Sequence, residues 1–241
     1  MRLVAWNCNG ALHRKFEALL ALEPDIAVVS ECADPEVLGR KCSLPVFSAP
    51  PVWTGGNRNR GLAVFFFNES RGCVHGRFRT DLQWVAPVEI HAPRRFNLLA
   101  VLAHTFGLRK AEAGPVNEAL AFYRQFLTGE DAVLAGDFNH NVIWDKRGWA
   151  SNHRDTVDAL DGCGLVSAYH AATGEPQGEE GTATIYWRDR RKDGPTYHID
   201  YIFIPRTWAA RPFDLRVESF ENWVGEGLSD HVPLVLDIPN G

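Results

Sequence analysis

The sequence predicts an α/β fold in which two β-sheets pack face to face and helices cover their outer faces. Strand-like segments greatly outnumber helical ones, and turn residues separate them at short intervals. No linker, repeat or low-complexity tract divides residues 1–241, so one domain is expected. With 45% hydrophobic residues, the 241-residue chain has ample material for a core.

Taken in order, the elements rest on two periodicities. β-branched or aromatic enrichment, or alternation, marks strands near 2–7, 25–31, 61–67, 84–90, 96–104 and 131–137. The same signals recur near 165–169, 182–187, 197–204, 213–219 and 231–237. Apolar residues at three- and four-residue steps predict helices over 13–22 and 112–127. A third helix is expected over 154–162, with Asn152 or Ser151 as its cap.

Composition narrows the function classes. A formal net charge of −5 gives no global basic field of the kind that marks many nucleic-acid binders. A bound divalent cation with a local arginine cluster can handle phosphate without one. Of the 25 cationic residues 20 are Arg, the side chain suited to bidentate phosphate contacts, although surface arginines also serve solubility. The five cysteines are odd in number and lack CxxC spacing, so they read as reduced thiols of a cytoplasmic protein. Cys8 and Cys32 are expected to lie near each other as small buried filler. No charged leader with an apolar stretch precedes the first strand, and no run of about eighteen apolar residues occurs. The expectation is a soluble, unexported monomer with no membrane partner.

Polar residues interrupt or end several of these apolar runs. Asn7 closes Arg2-Leu3-Val4-Ala5-Trp6, and Glu31 ends Asp25-Ile26-Ala27-Val28-Val29-Ser30. Asp137 and Asn139 follow Ala132-Val133-Leu134-Ala135-Gly136 in the string Gly-Asp-Phe-Asn. His198 and Asp200 bracket Ile199 ahead of Tyr201-Ile202-Phe203-Ile204, and Ser229-Asp230-His231 leads into an apolar strand. Converging strand ends are rigid mounts with open loops, where catalytic groups are commonly placed. Asn7 and Glu31 supply one neutral and one anionic oxygen, the donors that Mg²⁺ accepts. Asp137 and Asn139 alternate with Phe138, so in a strand both face one side. Read singly, Asn7 is also a turn former, Glu31 a solvated loop residue, and Gly-Asp-Phe-Asn a turn after a buried strand.

In this order and at these spacings, the residues from Trp6-Asn7 to Ser229-Asp230-His231 resemble the endonuclease/exonuclease/phosphatase superfamily. Its members include pancreatic deoxyribonuclease, exonuclease III-like abasic-site endonucleases, inositol polyphosphate phosphatases and neutral sphingomyelinases. The resemblance implies a four-layer α/β sandwich and a Mg²⁺-dependent phosphoesterase, with Mn²⁺ able to use the same oxygens. It implies that Asn7 and Glu31 hold the metal, with Asp230 nearby through water. Asp137 would orient or deprotonate the attacking water, and Asn139 would donate to a phosphoryl oxygen. His231 would contact the phosphate, with Asp200 fixing its tautomer. His104 sits where the deoxyribonuclease branch carries a second active-site His. Asn9 falls where abasic-site endonucleases carry an Asp that supports the metal, so a second metal site should be weaker here.

Two loops are candidates for gripping substrate. Asn57-Arg58-Asn59-Arg60 precedes one strand, and Tyr186-Trp187-Arg188-Asp189-Arg190-Arg191-Lys192 precedes Asp200. Stacking surfaces beside cations suit nucleotides, so Trp187, Arg188 and Arg190 are candidate substrate contacts, joined by His140 and Asn141. The plainer reading makes Tyr186 and Trp187 the end of a buried strand and the cations solvated. The expected reaction is hydrolysis of phosphodiester bonds in nucleic acid, DNA ahead of RNA. Two rivals stand beside it. A phosphomonoesterase or lipid phosphodiesterase would act on inositol phosphates or sphingomyelin, the lipid enzyme through an exposed apolar hairpin. A non-catalytic binding module would be expected to lack at least one of Glu31, Asp137, Asp200 and His231, and all four are present.

Overall fold

A computed structural model describes residues 1–82, 85–103, 114–149, 151–187 and 190–239. Strands are numbered in chain order. One six-stranded sheet runs β13 (Asp214–Val217), β14 (Leu234–Asp237), β1 (Arg2–Asn7), β2 (Ile26–Cys32), β4 (Arg60–Phe66), β3 (Val52–Asn57). The other runs β5 (Arg71–Val74), β6 (Val85–Ala92), β7 (Phe96–Leu102), β8 (Ala132–Asp137), β12 (Asp200–Pro205), β9 (Leu165–Ser167). A two-stranded hairpin joins β10 (Ile185–Tyr186) to β11 (Thr196–Tyr197). Both large sheets are mixed, because β1 pairs in parallel with β2 and β7 with β8 while their other pairings are antiparallel.

Side-chain alternation sorts the core into three layers of contact. Leu3, Val28 and Val64 of the first sheet meet Leu98, Val133 and Ile202 of the second between the sheets. Their strand neighbours point outward: Val4, Val29 and Phe65 pack on Leu12, Phe16 and Leu19, the last two from α1 (Phe16–Leu20). On the opposite face, Leu99, Val101 and Leu134 pack against α3 (Gly114–Phe122), α4 (Arg124–Thr128) and α5 (His153–Asp161). The result is the expected helix–sheet–sheet–helix sandwich. Strands buried on both faces explain why their sequences are almost continuously apolar. Four further short helices complete the described structure: α2 (Pro35–Gly39), α6 (Ala168–Thr173), α7 (Arg206–Ala209) and α8 (Phe220–Trp223).

Some element boundaries differ from expectation. The helix over 13–22 resolves into a 3₁₀ turn at Leu12–Arg14 followed by the short α1. The helix over 112–127 breaks at Tyr123, and its first residues lie outside the described ones. α5 starts beside Asn152, whose backbone N–H donates to Asp155 Oδ2 at 2.7 Å. The strand over 197–204 divides into β11 and β12 because Thr184 Oγ1 accepts the N–H groups of Ile199 and Asp200, both at 3.0 Å. Among the described residues no helix is long and apolar enough to cross a membrane.

Candidate active site

The parallel pairs and the β8–β12 register bring the polar strand ends to one rim. Asn7 stands opposite Ser30, and Asp137 opposite Asp200. The C-terminal motif is drawn in by Ser229, a fully buried residue whose Oγ donates to the Asn7 carbonyl at 2.7 Å and accepts from the His231 N–H at 3.1 Å. Asn7, Asp137, Asp200 and His231 are all buried.

Three of these positions need unusual backbone. Gly136, with φ of 137°, precedes Asp137, and a Cβ there would come within 2.0 Å of the Val101 carbonyl oxygen. Only glycine lets β8 lie this close to β7. Glu31, with φ of 58°, sits where the β2–β4 register slips between Ser30 and Cys32, a bulge that turns its carboxylate out of the ladder. Asn139 is left-handed at φ of 49°, a conformation Asn tolerates.

Asn139 thereby wraps around its neighbour. Its backbone N–H donates to Asp137 Oδ1 at 2.8 Å and its side-chain amide to Asp137 Oδ2 at 3.1 Å. Asn7 Nδ2 donates to the same Oδ2 at 2.8 Å. The amide donor of Asn7 therefore positions Asp137, and its Oδ1, which accepts the Asn9 N–H at 2.9 Å, is the atom left for a cation. Burial, reinforced by the charge of Asp200, pushes the Asp137 carboxyl up to about 7 despite these donors.

His231 Nδ1 donates to Asp200 Oδ2 at 2.8 Å. Burial pulls this imidazole down, but the Asp200 charge and hydrogen bond outweigh it and hold His231 up at about 10. Asp137, Asp200 and His231 each place one ligating atom within 4.8 Å of the others. A ligating imidazole must be neutral, whereas this one is held as imidazolium, so the trio reads as a hydrogen-bonded acid–base unit. Two buried carboxylates face one imidazolium, and Asp200 Oδ1 has no hydrogen-bond partner. An excess of buried negative charge with an unanswered oxygen is a setting that a divalent cation would fit.

The rest of the expected site lies around this centre. Glu31 is paired with Arg60, whose Nη2 donates to Oε2 at 2.5 Å. One cation of the first loop thus meets the expected metal ligand, while Arg58 is paired with Asp34 and Glu36. Asp230 is half-buried, and its carbonyl accepts the Tyr186 N–H at 2.8 Å, which docks the β10–β11 hairpin beside the centre. Trp187 and Arg190 are exposed beyond it. Of the other cations there, Arg191 pairs with Asp193 and Lys192 with Glu221. Arg188 and His104 lie outside the described residues.

Asn141 differs from expectation. It is buried, and its amide donates to the His198 carbonyl and Tyr201 Oη, both at 2.9 Å, and to Glu180 Oε2 at 3.1 Å. With its donors engaged inside the protein it fastens the loop after Asp137. His140 is buried as well. His198 Nδ1 donates to the Thr182 carbonyl at 2.8 Å inside the same network. Cys8 and Cys32 are buried filler, as expected, and burial pushes the Cys8 thiol up to about 12.

Two contributors escape the sequence. Lys15 Nζ donates to the carbonyls of Cys8 at 2.5 Å and Gly10 at 2.8 Å, bracing the turn after Asn7. It feels the charges of Arg190, Asp230 and Glu31, and burial holds it below the ordinary lysine value. A cation soon after Asn-Cys-Asn-Gly was the only available signal. Thr184, which anchors Asp200, gave none.

No family model and no curated protein matches the sequence. Solved structures do. A 3′ phosphatase, NExo, from Neisseria, bound to product DNA hairpin, superposes with a TM-score of 0.71 at 18% identity, covering 100% of each chain. At that identity the likeness shows a shared fold. An AP endonuclease from Archaeoglobus fulgidus shares the fold at a TM-score of 0.66 and 17% identity, covering 100% of both chains. The endonuclease domain of TRAS1, a telomere-specific non-LTR retrotransposon, gives 0.64 at 16% identity over 99% of this chain and 98% of that one.

Proposed function

We propose that the protein is a Mg²⁺-dependent phosphodiesterase that hydrolyses phosphodiester bonds of nucleic acid, DNA ahead of RNA. The observation that carries the reading is the pairing, on one rim, of a fixed carboxylate at Asp137 with an imidazolium at His231. Three amide donors hold Asp137, so a water hydrogen-bonded to it is oriented for in-line attack. Its raised affinity for protons makes it a base suited to neutral pH. Asp200 fixes the Nδ1 proton of His231, which leaves the Nε2 proton for a non-bridging oxygen. A positively charged donor there is worth more in the transition state, where charge accumulates, than in the ground state.

Glu31, with Asn7 Oδ1 and Asp230, would hold the metal. Bound Mg²⁺ supplies a Lewis acid for the phosphoryl oxygen and a counter-charge for the leaving group. Substrate approach would cross the β10–β11 hairpin, where Trp187 is 44% exposed and offers a stacking face, with Arg190 also exposed. The DNA named with the superposed NExo structure supports a nucleic-acid partner. Five unpaired cysteines, two of them buried, support a reducing cytoplasmic setting.

The deciding experiment compares plasmid DNA, single-stranded DNA, an abasic duplex, a 3′-phosphorylated duplex, RNA and inositol phosphates, with Mg²⁺ and with chelator. Cleavage of a polynucleotide that chelator abolishes and Mg²⁺ restores is expected. Inositol phosphate turned over faster than every nucleic acid would reject the reading.

A further inference from the structure

A second cluster of ligating side chains lies on the edge of the second sheet. Cys73 on β5 stands directly opposite Glu89 on β6. Directly opposed residues share a face, and so do residues two apart on one strand. Cys73, Glu89 and His91 therefore project together. Between Arg71 and Gly72 the register shifts, so that Gly72 pairs with Ile90 and Arg71 with Ala92, leaving His91 as the bulged residue. Bulges re-aim side chains at sheet edges. Here the bulge brings His91 Nε2 to 3.3 Å from Cys73 Sγ. One ligating atom from each of Cys73, Glu89 and His91 lies within 4.8 Å of the others.

Those distances are those of atoms sharing an ion. Bonds of about 2.3 Å to sulfur and about 2.0 Å to nitrogen at a tetrahedral angle place the two ligands about 3.5 Å apart. The chemistry is equally selective. A thiolate, an imidazole and a carboxylate suit zinc-like cations, whereas Mg²⁺ and Ca²⁺ prefer all-oxygen shells. His75 supports the arrangement from outside. Its Nδ1 accepts the Arg77 N–H at 3.2 Å, so in the neutral ring the proton sits on Nε2, 3.6 Å from Glu89 Oε1. Ligating carboxylates are commonly supported by a second layer of residues, and His75 stands next to this one. Cys73 is also the exposed member of the five cysteines, a residue type more often buried.

We propose that Cys73, Glu89 and His91 form a site for a zinc-class divalent cation, with the fourth position open to water and His75 orienting Glu89. The site is separate from the phosphate-cleaving centre: none of its residues belongs to that centre, and its donor set selects a different metal. Bound metal would clip the edge strand β5 to β6.

The test uses the metal-stripped full-length protein and Co²⁺ as a spectroscopic stand-in. A thiolate-to-cobalt charge-transfer band saturating at one equivalent and displaced by Zn²⁺ is expected. Cys73→Ser should abolish the band. His91→Ala and Glu89→Gln should each weaken binding on the order of 10-fold or more. Circular dichroism and Mg²⁺-dependent hydrolysis should stay at wild-type level in all three variants, since these side chains are exposed or half-exposed and outside the catalytic centre. The proposal is overturned by any of three results: no thiolate band, a band that survives Cys73→Ser, or His91→Ala and Glu89→Gln binding as tightly as wild type.

Discussion

Replacing Asp200 by Asn keeps the shape of the buried pair and removes its charge. Asp200 Oδ2 accepts from His231 Nδ1 at 2.8 Å, with both side chains buried. Without that carboxylate the two largest raising influences are gone, and His231 falls from about 10 towards its ordinary 6.5. At about 1.36 kcal/mol per tenfold change, proton affinity falls by on the order of 5 kcal/mol. At pH 8 an imidazole of pKa 6.5 is only about 3% protonated, so protonation alone lowers kcat/KM by about 30-fold. Misalignment of the ring carries the loss to about 10²–10³-fold, the range for removing one transition-state donor. The deficit relative to wild type at the same pH should narrow as pH falls towards 6, because acid restores the imidazolium, while protonation of Asp137 lowers both rates. The stability effect has a defined sign. A histidine held above its unfolded value stabilises the fold fully below about 6.5, and that contribution is lost as pH rises through about 10. The variant should therefore lack this alkaline loss. Rate profiles and thermal melts between pH 6 and 10 measure both effects. An alkaline limb identical in variant and wild type would refute the pairing, as would a His231→Ala, Asp200→Asn double variant whose losses multiply.

Glu31→Gln should abolish activity at ordinary Mg²⁺ and leave the melting temperature near wild type, because Glu31 sits at a rim bulge; full activity in excess chelator would end the metal mechanism. Arg190→Ala should raise KM for DNA and reduce the log–log salt slope by roughly one, with hydrolysis of bis-p-nitrophenyl phosphate unchanged; equal loss on both substrates would make the residue structural. His153 is buried against Tyr201 with both ring nitrogens unpartnered, and burial pulls it down to about 3. Its contribution is present above about 6.5 and lost as pH falls towards 3, so His153→Phe should melt higher by several degrees at pH 5 than wild type, and an unchanged acid melt would show that His153 finds a partner.

The two-sheet fold was legible because its central strands are buried on both faces. Val28-Val29 and Val133-Leu134-Ala135 have no polar side to show, and continuous apolar runs between turn residues read as strands. Two of the four edge strands, β3 and β5, were not legible. β3 carries Gly55 and Gly56, and β5 is the four-residue Arg71–Val74, so neither presents enough β-branched pattern to stand out. The site followed the same division. Residues that end long strands, Asp137 and Glu31 among them, could be located because the strand before them could. The internal bonds of Asn141 were not legible, because its spacing places it near the site but not which way its amide turns. That depends on His198 and Tyr201, nearly sixty residues away. Lys15 and Arg60 were likewise visible as cations, while their acceptors were fixed only by how β1, β2 and β4 lie side by side.

The Ser229 hydroxyl reaches across 222 residues to the Asn7 carbonyl, and β14 inserts between β1 and β13. β1 therefore has an open flank until β14 docks. His231 enters the rim with that closing segment, and with it comes the imidazolium. Until β14 docks, the rim carries Asp137 and Asp200 without the imidazolium that faces them. Such long-range closure is slow, since the entropy of joining distant ends comes before any contact is gained. Docking of β14 against β1 should therefore be a late step in folding, and it sets when the imidazolium reaches the rim.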